Sequence, residues 1–185
     1  IVSSSTNIYN GNLIKFDSQG NIEWKKDLDG LGDSVHQTSD GGFIVSGKTT
    51  SRNKDEIKLF KIDSQGNQEW TKFFLEGDWS NSYSVQQTID GGYIISGNTG
   101  SNLDGGGYDN NVLLIKTDSQ GDEVWRKIFG GDWNRDVGHS VQQTINGGYI
   151  VLGNGESEGK QQEIWLLKID SQGNQEWTKF FLEGD

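Results

Sequence analysis

The chain has 185 residues, of which 31% are hydrophobic and 27 are glycine, and it contains no proline, cysteine or methionine. That composition excludes a disulfide framework, a thiolate zinc site and a catalytic cysteine, and it favours many turns and short strands over long helices. A net charge of −11 repels phosphate backbones and anionic lipid, and no apolar run approaches the roughly 20 residues of a membrane-spanning helix. The expected partners are therefore proteins, glycans or cations, with no nucleic acid and no membrane insertion. Lacking an initiating Met and a leader, the chain reads as starting inside a mature protein or a fragment, so the compartment carries no mark in the sequence.

Self-similarity organises everything that follows. Asp-Ser-Gln-Gly begins at Asp17, Asp63, Asp118 and Asp170, and a tryptophan follows seven residues later each time, at Trp24, Trp70, Trp125 and Trp177. A second motif runs out of phase: SVHQTSDGGFIVSG from Ser34, SVQQTIDGGYIISG from Ser84 and SVQQTINGGYIVLG from Ser140. Residues 1–32 read as a partial unit of three strands, since Ile1-Val2-Ser3 matches the tail of the second motif. Full units follow over 33–81, 82–136 and 137–185. Within them, Ser84 to Thr88 is a short inner strand, and Asp90-Gly91 carries the two-residue hairpin signal that favours a type I′ turn, as does Asn146-Gly147. Tyr93 to Gly97 is the second strand. After a variable loop, Ile164 to Ile169 is apolar on both alternating faces and predicts a strand covered on both sides. Asp170-Ser171-Gln172-Gly173 has the Asp and Gly of a type I turn. The more polar Gln175 to Phe181 is the outer strand.

A four-stranded unit of about 50 residues that is apolar on both faces must stack on copies of itself. Radial stacking makes it a blade of an all-β propeller; a stacked sandwich array is the competing geometry. Glycine and tryptophan at fixed places favour the propeller, because a large ring of one blade can lie against a glycine-rich face of the next. The expected fold is a β-propeller of four-stranded antiparallel blades, three full and one partial. Placing Ile1 opposite Ile94 and Asp185 opposite Asp78 leaves the equivalent of Trp79 to Tyr93, fifteen residues, without a counterpart. This points to an excerpt of a larger array closing with roughly six to eight blades, with a four-bladed ring as the alternative.

Asp-x-x-Gly-x-x-x-Trp resembles the tryptophan-docking motif of quinoprotein-type propellers, one residue shorter than the usual form. The combination of SVQQTxDGGYI and DSxGNxxW resembles repeats of prokaryotic secreted and cell-surface proteins, which are regarded as propeller-like. The resemblance spans essentially the whole chain and implies a fold and an extracellular or cell-surface setting. It implies no activity.

Candidate sites are weighed against structural roles. The four turn Asp residues are expected to accept hydrogen bonds from nearby backbone N–H groups, and the four Trp residues that follow to pack in the core or between blades. Trp79 and Trp133 break the repeat in the loop before the inner strand, near Asp and Asn, as a sugar-stacking platform does; the competing role is a ring folded over the blade edge. His36-Gln37, Gln86-Gln87 and Gln142-Gln143 occupy equivalent inner-strand positions, so alternation sends the members of each pair to opposite faces. His36 in place of a Gln points to a shared hydrogen-bonding role. His139 falls at the place of Tyr83, which argues against a His-based metal site. Asp104 and Asp109 are weak oxygen ligands for Ca²⁺ in a glycine-rich loop that lacks the EF-hand spacing. No nucleophile elbow, Walker loop, metalloprotease or dinucleotide motif occurs, and no cofactor is expected. The functional expectation is a non-enzymatic, self-associating repeat module for adhesion, scaffolding or filament assembly. The alternatives are a lectin-like glycan-binding propeller and a piece of a propeller enzyme whose catalytic residues lie elsewhere.

Overall fold

A computed structural model describes residues 2–5, 10–29, 32–102, 108–130, 136–155 and 163–181. Fifteen strands form four antiparallel sheets, and no helix occurs among the described residues. The first sheet is β1 (Val2–Ser5), β2 (Asn10–Phe16) and β3 (Ile22–Asp29). The second is β4 (Ser34–Gln37), β5 (Phe43–Ser51), β6 (Lys54–Ile62) and β7 (Gln68–Phe74). The third is β8 (Trp79–Gln87), β9 (Tyr93–Asn102), β10 (Tyr108–Thr117) and β11 (Glu123–Phe129). The fourth is β12 (Val137–Gln143), β13 (Tyr149–Gly155), β14 (Glu163–Ile169) and β15 (Gln175–Phe181). Every sheet is a meander in which sequence neighbours pair, the blade pattern the repeat predicts. No strand pairing joins one sheet to another among the described residues, so no closed ring is formed by hydrogen bonding.

Period-two alternation explains why the middle strands are apolar throughout. In β5, Phe43 and Val45 pack toward the first sheet with Leu13, Phe60 and Ile62, whereas Ile44 packs toward the third with Tyr93, Ile95 and Leu113. In β9 the same division recurs. Ile94 joins Val141, Tyr149, Val151 and Leu167 of the fourth sheet, while its neighbours Tyr93 and Ile95 face back. Among the described residues the second and third sheets thus feed two cores each and the first and fourth one each, so three cores join four sheets.

The hairpin turns depart from expectation in one respect. Gly91 N donates to Thr88 O at 2.9 Å and Thr88 N to Gly92 O at 2.9 Å, and of the residues between them only Gly91 has a positive φ, +83°. This is a type I turn closed by a glycine bulge; a type I′ turn would also put Asp90 at positive φ. Gly147, with φ +85°, closes the Asn146 turn in the same way. The two-residue I′ geometry occurs instead at Arg52-Asn53, with φ of 51° and 62°, between β5 and β6. The Asp-Ser-Gln-Gly turns are type I, as predicted: Gly66 N donates to Asp63 O at 3.1 Å and Asp63 N to Asn67 O at 2.9 Å.

Candidate functional site

The repeat motifs build a joint between blades. Each turn Asp folds its carboxylate back on its own loop. Asp63 accepts from Gln65 N at 2.8 Å, Asn67 N at 2.8 Å and Asn67 Nδ2 at 2.9 Å; Asp17 and Asp170 repeat this set, and Asp118 accepts from Gln120 N and Asp122 N. Hydrogen bonds from the following Asn hold Asp17 and Asp63 below the ordinary carboxylate value. The turn so fixed offers its glycine to the tryptophan of the preceding sheet. A Cβ on Gly121 would fall 2.6 Å from the Trp70 ring, and the same approach brings Trp24 to Gly66 and Trp125 to Gly173, each at 3.2 Å. Trp24 Nε1 also donates to Ser64 O at 3.2 Å. The far side of each ring region meets an aromatic of the next blade: Trp24 and Phe43 have centroids 6.3 Å apart, Trp70 and Tyr93 5.7 Å, Trp125 and Tyr149 5.9 Å. Trp177 has no such partner in the described structure and is 40% exposed, and Gly20 has nothing within 4 Å of its Cβ position.

The inner-strand glutamines staple successive hairpins. Gln87 Oε1 accepts from Ser39 N and Gln143 Oε1 from Ile89 N, both at 2.8 Å, and Gln86 Oε1 accepts from Gln143 N at 3.0 Å. The pair in β8 does point to opposite faces, and each face meets a neighbouring sheet. Gln142, the counterpart of Gln86, is exposed. His36 does not reproduce the bond of Gln86: its Nδ1 is buried without a hydrogen-bond partner, because a ring nitrogen held close to the strand cannot reach as far as a Gln carbonyl. Trp79 is not in a loop. It opens β8 opposite Gly100, its indole covers Gly100 where a Cβ would collide with the ring, and one face is thereby used in the blade edge. Trp133 and Asp104 lie outside the described residues. Asp109 accepts from Asn111 Nδ2 at 2.8 Å, and no cluster of three His, Asp or Glu suited to a metal occurs among the described residues. His139 and Tyr83 sit at β-bulges of adjacent inner strands, and their rings come within 5.7 Å.

Two features went unread in the sequence. One is a lysine two residues before each turn Asp. The Lys61 ammonium is buried, 2.9 Å from Asp40 of the hairpin turn and 2.9 Å from Glu69 of the outer strand, and Lys116 pairs with Asp90 at 2.9 Å and with Thr117 O at 2.8 Å. Hydrogen bonds from Thr38 and Lys61 lower Asp40 to about 2. The clamp explains the second glycine of each Asp-Gly-Gly turn, since a Cβ on Gly92 would press on the Lys116 ammonium and the Thr117 carbonyl. Its signal was present in the four Lys-x-Asp-Ser-Gln-Gly copies. The other is a cleft of about 410 Å³ between the third and fourth sheets, lined by Phe129, Gly130, Asp136, Trp165, Gln175 and Phe180 among others. Asp136 is only 5% exposed, and burial, with the Asp109 carboxylate nearby, pushes its pKa up to about 7. Its signal was an acidic residue at the place of Ser80 in the preceding repeat. Compared with known proteins, the sequence matches no protein-family model and no curated protein.

Proposed function

We propose that the chain is a non-enzymatic structural repeat module of an extracellular or cell-surface protein, serving adhesion, scaffolding or filament assembly by the docking of one blade on the next. The observation that carries this reading is the joint itself. Tryptophan on glycine and aromatic recurs three times inside the chain, and its two halves recur uncovered, with Trp177 on the fourth sheet and the Gly20 turn on the first. Head-to-tail surfaces of this kind add units into rings or filaments, according to whether the rotation per unit closes. The acidic surface is compatible with an assembly that does not gather nucleic acid or anionic lipid.

Light scattering across a concentration series, followed by electron microscopy, tests the reading. Species larger than the 20.5 kDa chain are expected to grow with concentration and to be suppressed by Trp177→Ala. A species that stays monomeric at high concentration would remove the proposal. Glycan binding remains the alternative function, and it requires binding on a glycan array that is lost in Trp79→Ala or Trp133→Ala.

A further inference from the structure

Three departures from the repeat converge on the cleft between the third and fourth sheets. Gly130 follows β11 where Leu75 follows β7 in the second sheet, and the Asn111 side chain takes the place a Cβ there would need. Trp165 stands in β14 where the cross-strand register puts Leu113 in β10, and supplies a broad apolar wall. Asp136 precedes β12 at the place of Ser80. In the third sheet that place has a purely structural use, since the Ser80 hydroxyl donates to Glu76 O at 3.0 Å and lies 3.4 Å from Thr99 Oγ1. Asp136 is anchored by its backbone instead, its N donating to Asn110 O at 3.0 Å, which leaves the carboxylate for the cleft.

The charge at this point contrasts with the paired cations of the molecule. Lys61 and Lys116 have carboxylates within 2.9 Å, and Arg126 bridges Glu76 and Glu123. Among the described residues nothing donates to the Asp136 side chain, and the charge that acts on it there is another carboxylate, Asp109 of β10. A buried anion without a donor is costly, and a cation relieves that cost most directly. Phe129, Trp165 and Phe180 line the same space, and aromatic rings favour an organic cation with an apolar body over a hydrated metal ion, which would ask for several more oxygen ligands. Gln175 and Thr178 also line it and supply further polar groups. This face of β15 is turned toward the joint, since Thr178 and Phe180 alternate with Trp177 and Phe181 on the other face, and Phe180, 51% exposed, stands at the rim.

We propose that this cleft binds a small organic ammonium ion, with the ammonium on the Asp136 carboxylate and its apolar body among Phe129, Trp165 and Phe180. The proposal is independent of blade docking, which uses the opposite face of β15. Calorimetric titration of the 185-residue protein with benzylamine, and with benzyl alcohol as its neutral counterpart, tests it at pH 8. Saturable binding of benzylamine is expected, with at least about tenfold weaker binding of benzyl alcohol, the ratio that 1.4 kcal/mol of charge recognition gives. Asp136→Asn is expected to lose that preference, and Trp165→Leu to weaken both ligands. Equal binding of amine and alcohol, an unchanged preference in Asp136→Asn, or no saturable binding of benzylamine would each overturn the proposal. The comparison of the two ligands on the unaltered protein needs no variant to fold, and light scattering reads assembly separately, so the loss of either idea leaves the other standing.

Discussion

At the scale of single residues, the molecule separates charged groups that hold the fold from a buried carboxylate that strains it. Asp63 and its equivalents, Lys61 and Lys116 are satisfied within their own blades. Asp136 is not satisfied among the described residues, and its folded-state pKa of about 7 stands above the ordinary value of 3.8. Between those two values the folded protein holds a proton that the unfolded chain has released, so stability falls as pH rises through this window and the full penalty is present above it. Asp136→Asn keeps the shape and removes the ionisation. It is expected to raise the melting temperature most at pH 8 and to lose nearly all of that gain by pH 4, read from thermal unfolding of both proteins across the range. A gain independent of pH would show that the carboxylate is not the strained group. A stabilising substitution at a buried acid is the usual mark of a group kept for something other than stability.

At the scale of elements, the duplicated segment KIDSQGNQEWTKFF is a controlled comparison within one chain. Residues 61–74 and 168–181 are identical and form the same hairpin with the same register, yet Phe74 is 6% exposed and Phe181 49%. The difference is the next sheet, which covers one copy and not the other. Trp70→Ala is therefore expected to cost about 3 kcal/mol, at the lower end for a packed tryptophan, whereas Trp177→Ala in dilute, monomeric protein is expected to stay within about 0.5 kcal/mol. Chemical denaturation of the two variants distinguishes joint packing from any property of the hairpin, since equal losses would place the stabilisation inside the hairpin. The hairpins and the sheet order were legible because period, alternation and the Asp-Ser-Gln-Gly turn are local signals. The turn at Asp90-Gly91 was read one φ angle wrongly, because a dipeptide does not reveal whether its loop has two residues or three. The Asp136 cleft was not legible, since it depends on which sheet faces which: Gly130, Asp136 and Trp165 look like unrelated departures until the third and fourth sheets are placed against each other.

At the scale of the whole molecule, four sheets joined by three similar cores behave as a short one-dimensional array, in which each sheet is stabilised by its own hairpins and by its neighbours. The second and third sheets have two joints each and the first and fourth have one in the described structure. Local opening follows the number of joints, because strand hydrogen bonds are protected to the extent that both faces are covered. Amide exchange at low concentration should then be slowest in β5, β6, β9 and β10 and faster in β13 to β15, although β15 has the same sequence as β7. If blade docking is the function, raising the concentration should slow exchange in β15 and in the turn at Gly20 while leaving β7, already covered, unchanged. Equal exchange of β7 and β15 at every concentration would mean that the neighbouring sheet contributes nothing to either, and the joint would lose its standing as the unit of assembly. Slowing spread evenly over all four sheets would point instead to nonspecific association.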